Sequence, residues 1–258
     1  MKLDTTINTD RRNEMKKLYE RNQLYFALVW IGIYVIAFSV ADSVSESFGV
    51  RSCITAPLGL LMSVLLFGFI SRNQLSDYFG LRKIDNNDFK RLLFFLPLFI
   101  IASANLWYGV AMKYSAPETV LTFVSILFIG FIEEVLFRGF LFKAILCKRV
   151  GLAVTISSVT FGMGHIVNLL NGADIQQTLL QICYAIAIGY LFTIIFIKTR
   201  SLIPCIITHS VLNAIGVFSA KSTLWQEAAA SAILIIISVG YAVYLKMGIK
   251  QVSKQHQL

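Results

Sequence analysis

Charge is what this chain has least of. Only 14% of its 258 residues are Asp, Glu, Lys or Arg, while 57% are hydrophobic. Soluble domains carry about 25% charged residues, so the composition argues for a membrane protein. Cysteine is sparse too: Cys53, Cys147, Cys183 and Cys205 are scattered, without CxxC spacing. That argues against a zinc–thiolate centre or a disulfide framework, and Cys183 and Cys205 read as small hydrophobes in apolar stretches. The sequence has no HExxH, so the zinc-protease helix of that signature is absent. Internal repeats and low-complexity segments are also missing. The start of the chain lacks the short apolar core and small-residue cleavage site of a secretory signal. Residues 1–23 read instead as a basic cytosolic tail.

Long apolar runs are what the chain has in their place. Windows of 17 or more apolar residues fall at about 24–41, 53–71, 92–112, 119–146, 151–170, 176–197, 202–219 and 227–245. The fold class expected is an all-α polytopic membrane protein of about eight transmembrane helices enclosing a polar cavity. One membrane domain would span 24–245, with a C-terminal tail at 246–258. The seventh run is the weakest, holding His209 and Asn213, with Pro204 in its first turn, where proline is tolerated.

The net charge of +9 is distributed by side. With a cytosolic N-terminus, 19 Lys and Arg fall in cytosolic tails and turns, against Arg51, Lys113 and Lys221 on the other side. This is the positive-inside pattern, and it places both termini in the cytosol. It explains the charge through anionic lipid rather than nucleic acid, which is not expected as a partner.

The fourth run, TVLTFVSILFIGFIEEVLFRGFLFKAIL, carries Glu133, Glu134 and Arg138 near its middle. Ionisable groups at that depth are rarely kept without a partner or a task. Helical spacing puts Glu134 and Arg138 on one face, able to pair, and Glu133 roughly 140° away from Arg138. One carboxylate is then neutralised within its helix, and the other is aimed at a different helix. A paired Glu134–Arg138 reads as structural.

Two of the three histidines lie inside predicted spans: His165, with Phe161 one turn earlier, and His209, with Asn213 one turn later. The third, His256, sits in the polar tail and is expected to be idle. Counting at 1.5 Å per residue from the cytosolic helix ends, Glu133 lies about 20 Å deep and His165 about 21 Å. On the same rise His209 lies about 11 Å and Asn213 about 17 Å deep, so one cluster is compatible. Singly, each residue reads as helix glue or packing. Together they resemble a hydrolytic site or an ion pathway.

A carboxylate in a low-dielectric cavity can act as general base toward water, with a histidine orienting that water. A second histidine and an amide can hold the oxyanion of a tetrahedral intermediate. Glu133, His165 and His209 could instead ligate a divalent metal such as zinc, leaving a position for water.

Taken in order, EEVLFR (133–138), FGMGH (161–165) and HSVLN (209–213) match EExxxR, FxxxH and HxxxN. This resembles the CPBP family: the CAAX prenyl protease type II (Rce1-like) enzymes and the bacteriocin-processing and immunity proteins often labelled Abi. The motif core covers about 119–215, and no motif position is substituted. The resemblance implies an intramembrane endopeptidase acting on a membrane-associated protein or peptide precursor. In it, Glu133 and His165 activate water, and His209 and Asn213 form the oxyanion hole. Glu134, Arg138 and Phe161 support the site. Residues 1–90 carry no signature. Two other readings remain open: a non-catalytic immunity or scaffold protein, and an ion-coupled transporter. The second lacks paired broken helices in two halves.

Overall fold

The structure is a computed structural model that describes residues 14–84, 95–146 and 149–255, with side chains described as far as residue 247. The tail up to residue 13, the start of the third expected span (92–94), Cys147 and His256 lie outside the described residues.

Helices build most of the described residues: α1 Gln23–Ser47, α2 Thr55–Arg72, the short α3 Leu96–Ala102, then α4 Ala116–Leu146. After these come α5 Val150–Gly164, α6 Ile175–Thr199, α7 Ile203–Ile215 and α8 Leu224–Gln255. Polar residues at their starts fix the boundaries. The Asn22 side chain accepts from the Tyr25 N–H at 2.9 Å to begin α1. At α4, Glu118 reaches back to the Ser115 backbone N–H (3.2 Å) and hydroxyl (2.6 Å). Asp174 caps α6 by accepting from the Gln176 and Gln177 amides.

Among the described residues, six helices are long and apolar enough to cross a membrane: α1, α2, α4, α6, α8, and α5 with its 3₁₀ extension to Leu169. The chain is a polytopic, all-helical membrane protein. Two of the eight expected spans are shorter than their apolar runs. The run 202–219 contributes α7 and a 3₁₀ turn, Gly216–Phe218. Over 92–112, the described residues form α3, a 3₁₀ turn at Ala104–Leu106, then a turn and an isolated antiparallel bridge between Val110 and Ser219. There the Ala111 N–H donates to the Phe218 carbonyl (2.7 Å) and the Ala220 N–H to the Gly109 carbonyl (3.0 Å). These bonds between segments distant in sequence take the place of the helical ones, so apolarity alone overstated the helix.

The helix ends gather on two faces. On one, the Leu202 N–H donates to the Gly80 carbonyl and the Ser201 hydroxyl to the Arg82 carbonyl, while Tyr19 packs on Phe79. Arg21, Arg72, Arg82, Arg149 and Arg200 lie at the turns and helix ends of this basic face. On the other, Ser52 meets Thr122, Arg51 lies over the Tyr114 ring, and Gln177 bonds Glu227. The loops 48–54, 107–115, 170–174 and 219–223 therefore share the opposite face.

Within this bundle α4 is central, packing against α2 on one side and α7 on the other. The approach to α7 requires Gly130: a Cβ there would stand 3.0 Å from the Ser210 Cα. Small residues are how membrane helices come this close, and this one brings α7 up against the carboxylates of α4.

Candidate active site

Immediately after its two glutamates, α4 widens into a π-helical stretch, Val135–Leu141, before resuming at Phe142. Such a register change leaves backbone groups without their usual partners and is commonly found at functional sites. Here the Ser157 hydroxyl of α5 donates to the Phe137 carbonyl at 2.8 Å. Glu134 closes the regular part of the helix, and Arg138 lies within the widened turn.

Glu134 and Arg138 are fully buried and paired, Nη1 to Oε1, at 3.0 Å. The guanidinium sits 4.0 Å from the Phe161 ring centroid and 5.7 Å from that of Phe192. Aromatic faces thus share the work of holding the cation with one carboxylate. The room comes from Gly189 on α6, where a Cβ would lie 2.9 Å from Arg138 Nη2 and 3.1 Å from Phe161. Glu134 Oε2 and Arg138 Nε and Nη2 have no hydrogen-bond partner among the described residues.

His209 joins the two glutamates. Its Nδ1 lies 2.9 Å from Glu134 Oε1, and its Nε2 lies 3.4 Å from Glu133 Oε2. The carboxylate of Glu134 can only accept, which assigns the Nδ1 proton to His209. The Nδ1 contact is a hydrogen bond, whereas Nε2 stands as a longer approach to Glu133. Edge-on contact with Phe161, centroids 5.5 Å apart, completes the packing of the His209 ring.

The other oxygen of Glu133 is held from α1. The Tyr34 hydroxyl donates to Glu133 Oε1 at 2.5 Å. Glu133, Tyr34, Phe161, His165 and Asn213 all line one cavity of about 500 Å³. His165 begins the 3₁₀ extension of α5 and packs edge-on to Phe161 at 5.5 Å, with Nδ1 3.3 Å from the Gly162 carbonyl. Asn105 also faces the cavity, and its Nδ2 donates to the Leu212 carbonyl at 2.7 Å, bracing the turn that carries Asn213.

The predicted residues are therefore brought together, with one difference in placement. His209 is 4% exposed and lies behind the cavity between two carboxylates, rather than on the cavity wall beside Asn213. Tyr34, Asn105, Asn168 and Gln181 complete the cavity without having been singled out from the sequence. A larger groove, about 1530 Å³ between α2 and α4, holds none of the predicted site residues.

A metal would need Glu133, His165 and His209 to converge. Among the described residues no group of three His, Cys, Asp or Glu side chains is placed to hold one. Glu133 is instead engaged by Tyr34 and His209, so the donor set does not fit a three-ligand site. The described cysteines are free; Cys205 is buried, with Sγ 3.4 Å from the Phe192 carbonyl.

Residues 114–215 match the family model described as "Type II CAAX prenyl endopeptidase Rce1-like". Over those residues the chain is similar to the Rce1-like family. The match runs from just before α4 to the end of α7 and takes in all three motifs. Neither the curated proteins nor the solved structures compared with the chain gave a match. The family matched is one of proteases, and the matched stretch lies within a polytopic, all-helical membrane protein.

Proposed function

We propose that this chain hydrolyses a peptide bond of a membrane-associated protein or peptide within the cavity beside Glu133. The observation carrying this reading is His209 held between two carboxylates, one of which lines an open, largely polar cavity. Glu133 takes the proton of a water in the cavity, and His165, which lines the same cavity, orients that water. The attacking hydroxide adds to the scissile carbonyl, and the Asn213 amide donates to the resulting oxyanion. The proton gained by Glu133 then passes to the departing amine.

His209 acts here as a positioning residue. Held by Glu134, it keeps a proton donor or acceptor against Glu133 through both states of the cycle. Arg138 and Phe161 fix Glu134, and Tyr34 sets the rotamer of Glu133. This is general acid–base catalysis, which contributes about 10²–10⁴-fold in rate.

The positive-inside pattern supports cytosolic termini, and the membrane is the plasma membrane if the source is bacterial. A type II CAAX prenyl substrate fits the family name, and a peptide precursor fits the same chemistry. The test is comparative peptidomics of cells with the wild-type chain or Glu133→Gln at equal membrane abundance. Peptides that vanish in the variant support a protease and name its cut sites. Identical peptidomes would overturn the reading.

A further inference from the structure

The groove of about 1530 Å³ between α2 and α4 lies apart from the cavity beside Glu133. Phe128 and Phe131 line the groove, whereas Ile126, Ile129 and Glu133 line the cavity, on roughly the opposite side of α4. One end of the groove is closed where the two helices touch: a Cβ on Gly59 would lie 3.0 Å from the Phe128 Cβ. From there its lining runs along α2 from Leu60 to Asn73, about 20 Å at 1.5 Å per residue. Half a bilayer, headgroups included, measures about 20–22 Å. The groove is as long as one lipid molecule is tall.

Its two ends differ in chemistry. The closed end is apolar, with exposed Leu60, Val64 and Phe67 facing Phe128 and Phe131. Midway stands Gly68, where a Cβ would meet nothing within 4 Å, so the trough stays hollow. The end at the basic face is lined by Arg72 and Asn73, with Glu14 and Lys16 of the helical segment 14–21. Tyr19 holds that segment beside α2, its ring 5.4 Å from Phe26 and 5.7 Å from Phe69 between centroids. Glu14 is engaged by Lys17 at 2.8 Å, and Lys16 approaches Glu20 at 3.7 Å. Exposed Arg72 has no ion-pair partner among the described residues. A free guanidinium at the mouth of an apolar trough complements a phosphate with a hydrocarbon chain beneath it.

We propose that this groove is a binding site for one anionic phospholipid of the leaflet at the basic face. Its phosphate meets Arg72 and Lys16, and an acyl chain lies along Leu60, Val64, Phe67 and Phe128. The volume exceeds the roughly 300–1,000 Å³ of a drug-sized pocket, as a lipid requires. A site of this kind braces α2 against α4, the helix that carries Glu133. It does not rest on the peptidase reading.

The test uses the full chain, purified in detergent and stripped of lipid. Phosphatidylglycerol or phosphatidylcholine is added back to the wild type, Arg72→Gln, Gly68→Leu, Gly240→Leu and Glu133→Gln. Binding is read by native mass spectrometry and by the melting temperature, which rises when a ligand prefers the folded chain. Phosphatidylglycerol should bind the wild type more tightly than phosphatidylcholine and should raise its melt. Arg72→Gln should bind it about tenfold more weakly, as loss of one hydrogen bond to a charged group implies. Gly68→Leu should lose it, while its lipid-free melt holds, since Leu is a better helix former than Gly. Gly240→Leu, where the added side chain also starts in open space, controls for lipid held loosely around the bundle and should bind as the wild type does. Glu133→Gln should bind normally whether or not it hydrolyses peptides, which keeps this result separate from the peptidase reading. Equal binding of the two lipids would overturn the proposal, as would wild-type binding by Arg72→Gln or Gly68→Leu. Displacement of the lipid by inorganic phosphate would mark a free-anion site, and displacement by a farnesylated peptide a groove for substrate; either overturns it. A wild-type dimer that Gly68→Leu separates would give the groove to a second copy of the chain and also overturn it.

Discussion

Tyr34 donates its phenolic proton to Glu133 at 2.5 Å, joining the first long helix to the fourth across 99 positions of sequence. Tyr34→Phe keeps the ring beside Phe38, 4.7 Å between centroids, and removes only the hydroxyl. Loss of one hydrogen bond to a charged group costs about 1.5–3 kcal/mol. If that loss falls on the transition state, kcat/KM should drop about tenfold to a hundredfold. Melting should move little. Unchanged kinetics would remove Tyr34 from the site.

Arg138 bears on stability first. Removing one partner of a buried pair costs about 3–5 kcal/mol, because the other charge is left unpaired. Arg138→Ala should therefore lower the melting temperature of the detergent-solubilised protein, and Arg138→Lys should restore little, since a guanidinium plane lies on Phe161. Combining Arg138→Ala with Glu134→Gln should cost less than the sum of the two. Additive losses would contradict the pairing.

Gly189→Ala is expected to act through the same contact. The added methyl meets Arg138 Nη2 and Phe161, and overpacking of this kind costs about 1–3 kcal/mol. Gly240→Ala on α8 meets nothing within 4 Å and serves as the control. The comparison is a pair of thermal melts. Equal melts would mean that the site yields freely at Gly189.

Metal dependence follows from donor placement. Glu133, His165 and His209 do not converge as ligands, so hydrolysis by the purified chain should survive a strong chelator. Loss of activity that zinc restores would show that these side chains rearrange around a metal.

Much of the site was legible because its residues stand out against their surroundings. Glu133, Glu134 and Arg138 interrupt a long apolar run, and His165 and His209 are two of only three histidines. Helical spacing also pairs Glu134 with Arg138, and that pairing survives the π-helical turn. Tyr34 was not legible, since a tyrosine in an apolar helix is ordinary and its partner is remote in sequence. The direction of the His209 ring was hidden as well. It depends on Glu134 having an oxygen to share between Arg138 and the imidazole, which spacing along one helix does not reveal. Over 92–112 apolarity suggested a full span, whereas bonds from residues 109–111 to the 218–220 segment decide the backbone there.

The central claim is that the Glu133 carboxyl performs the chemistry rather than shaping the cavity. The most direct measurement is peptide hydrolysis by purified wild-type and Glu133→Gln protein, with melting curves taken on the same samples. Gln keeps the size and can still accept from Tyr34, so the account predicts a matched melt and a rate lower by about 10²–10⁴-fold. A Glu133→Gln protein that melts like the wild type and hydrolyses at the wild-type rate would contradict it.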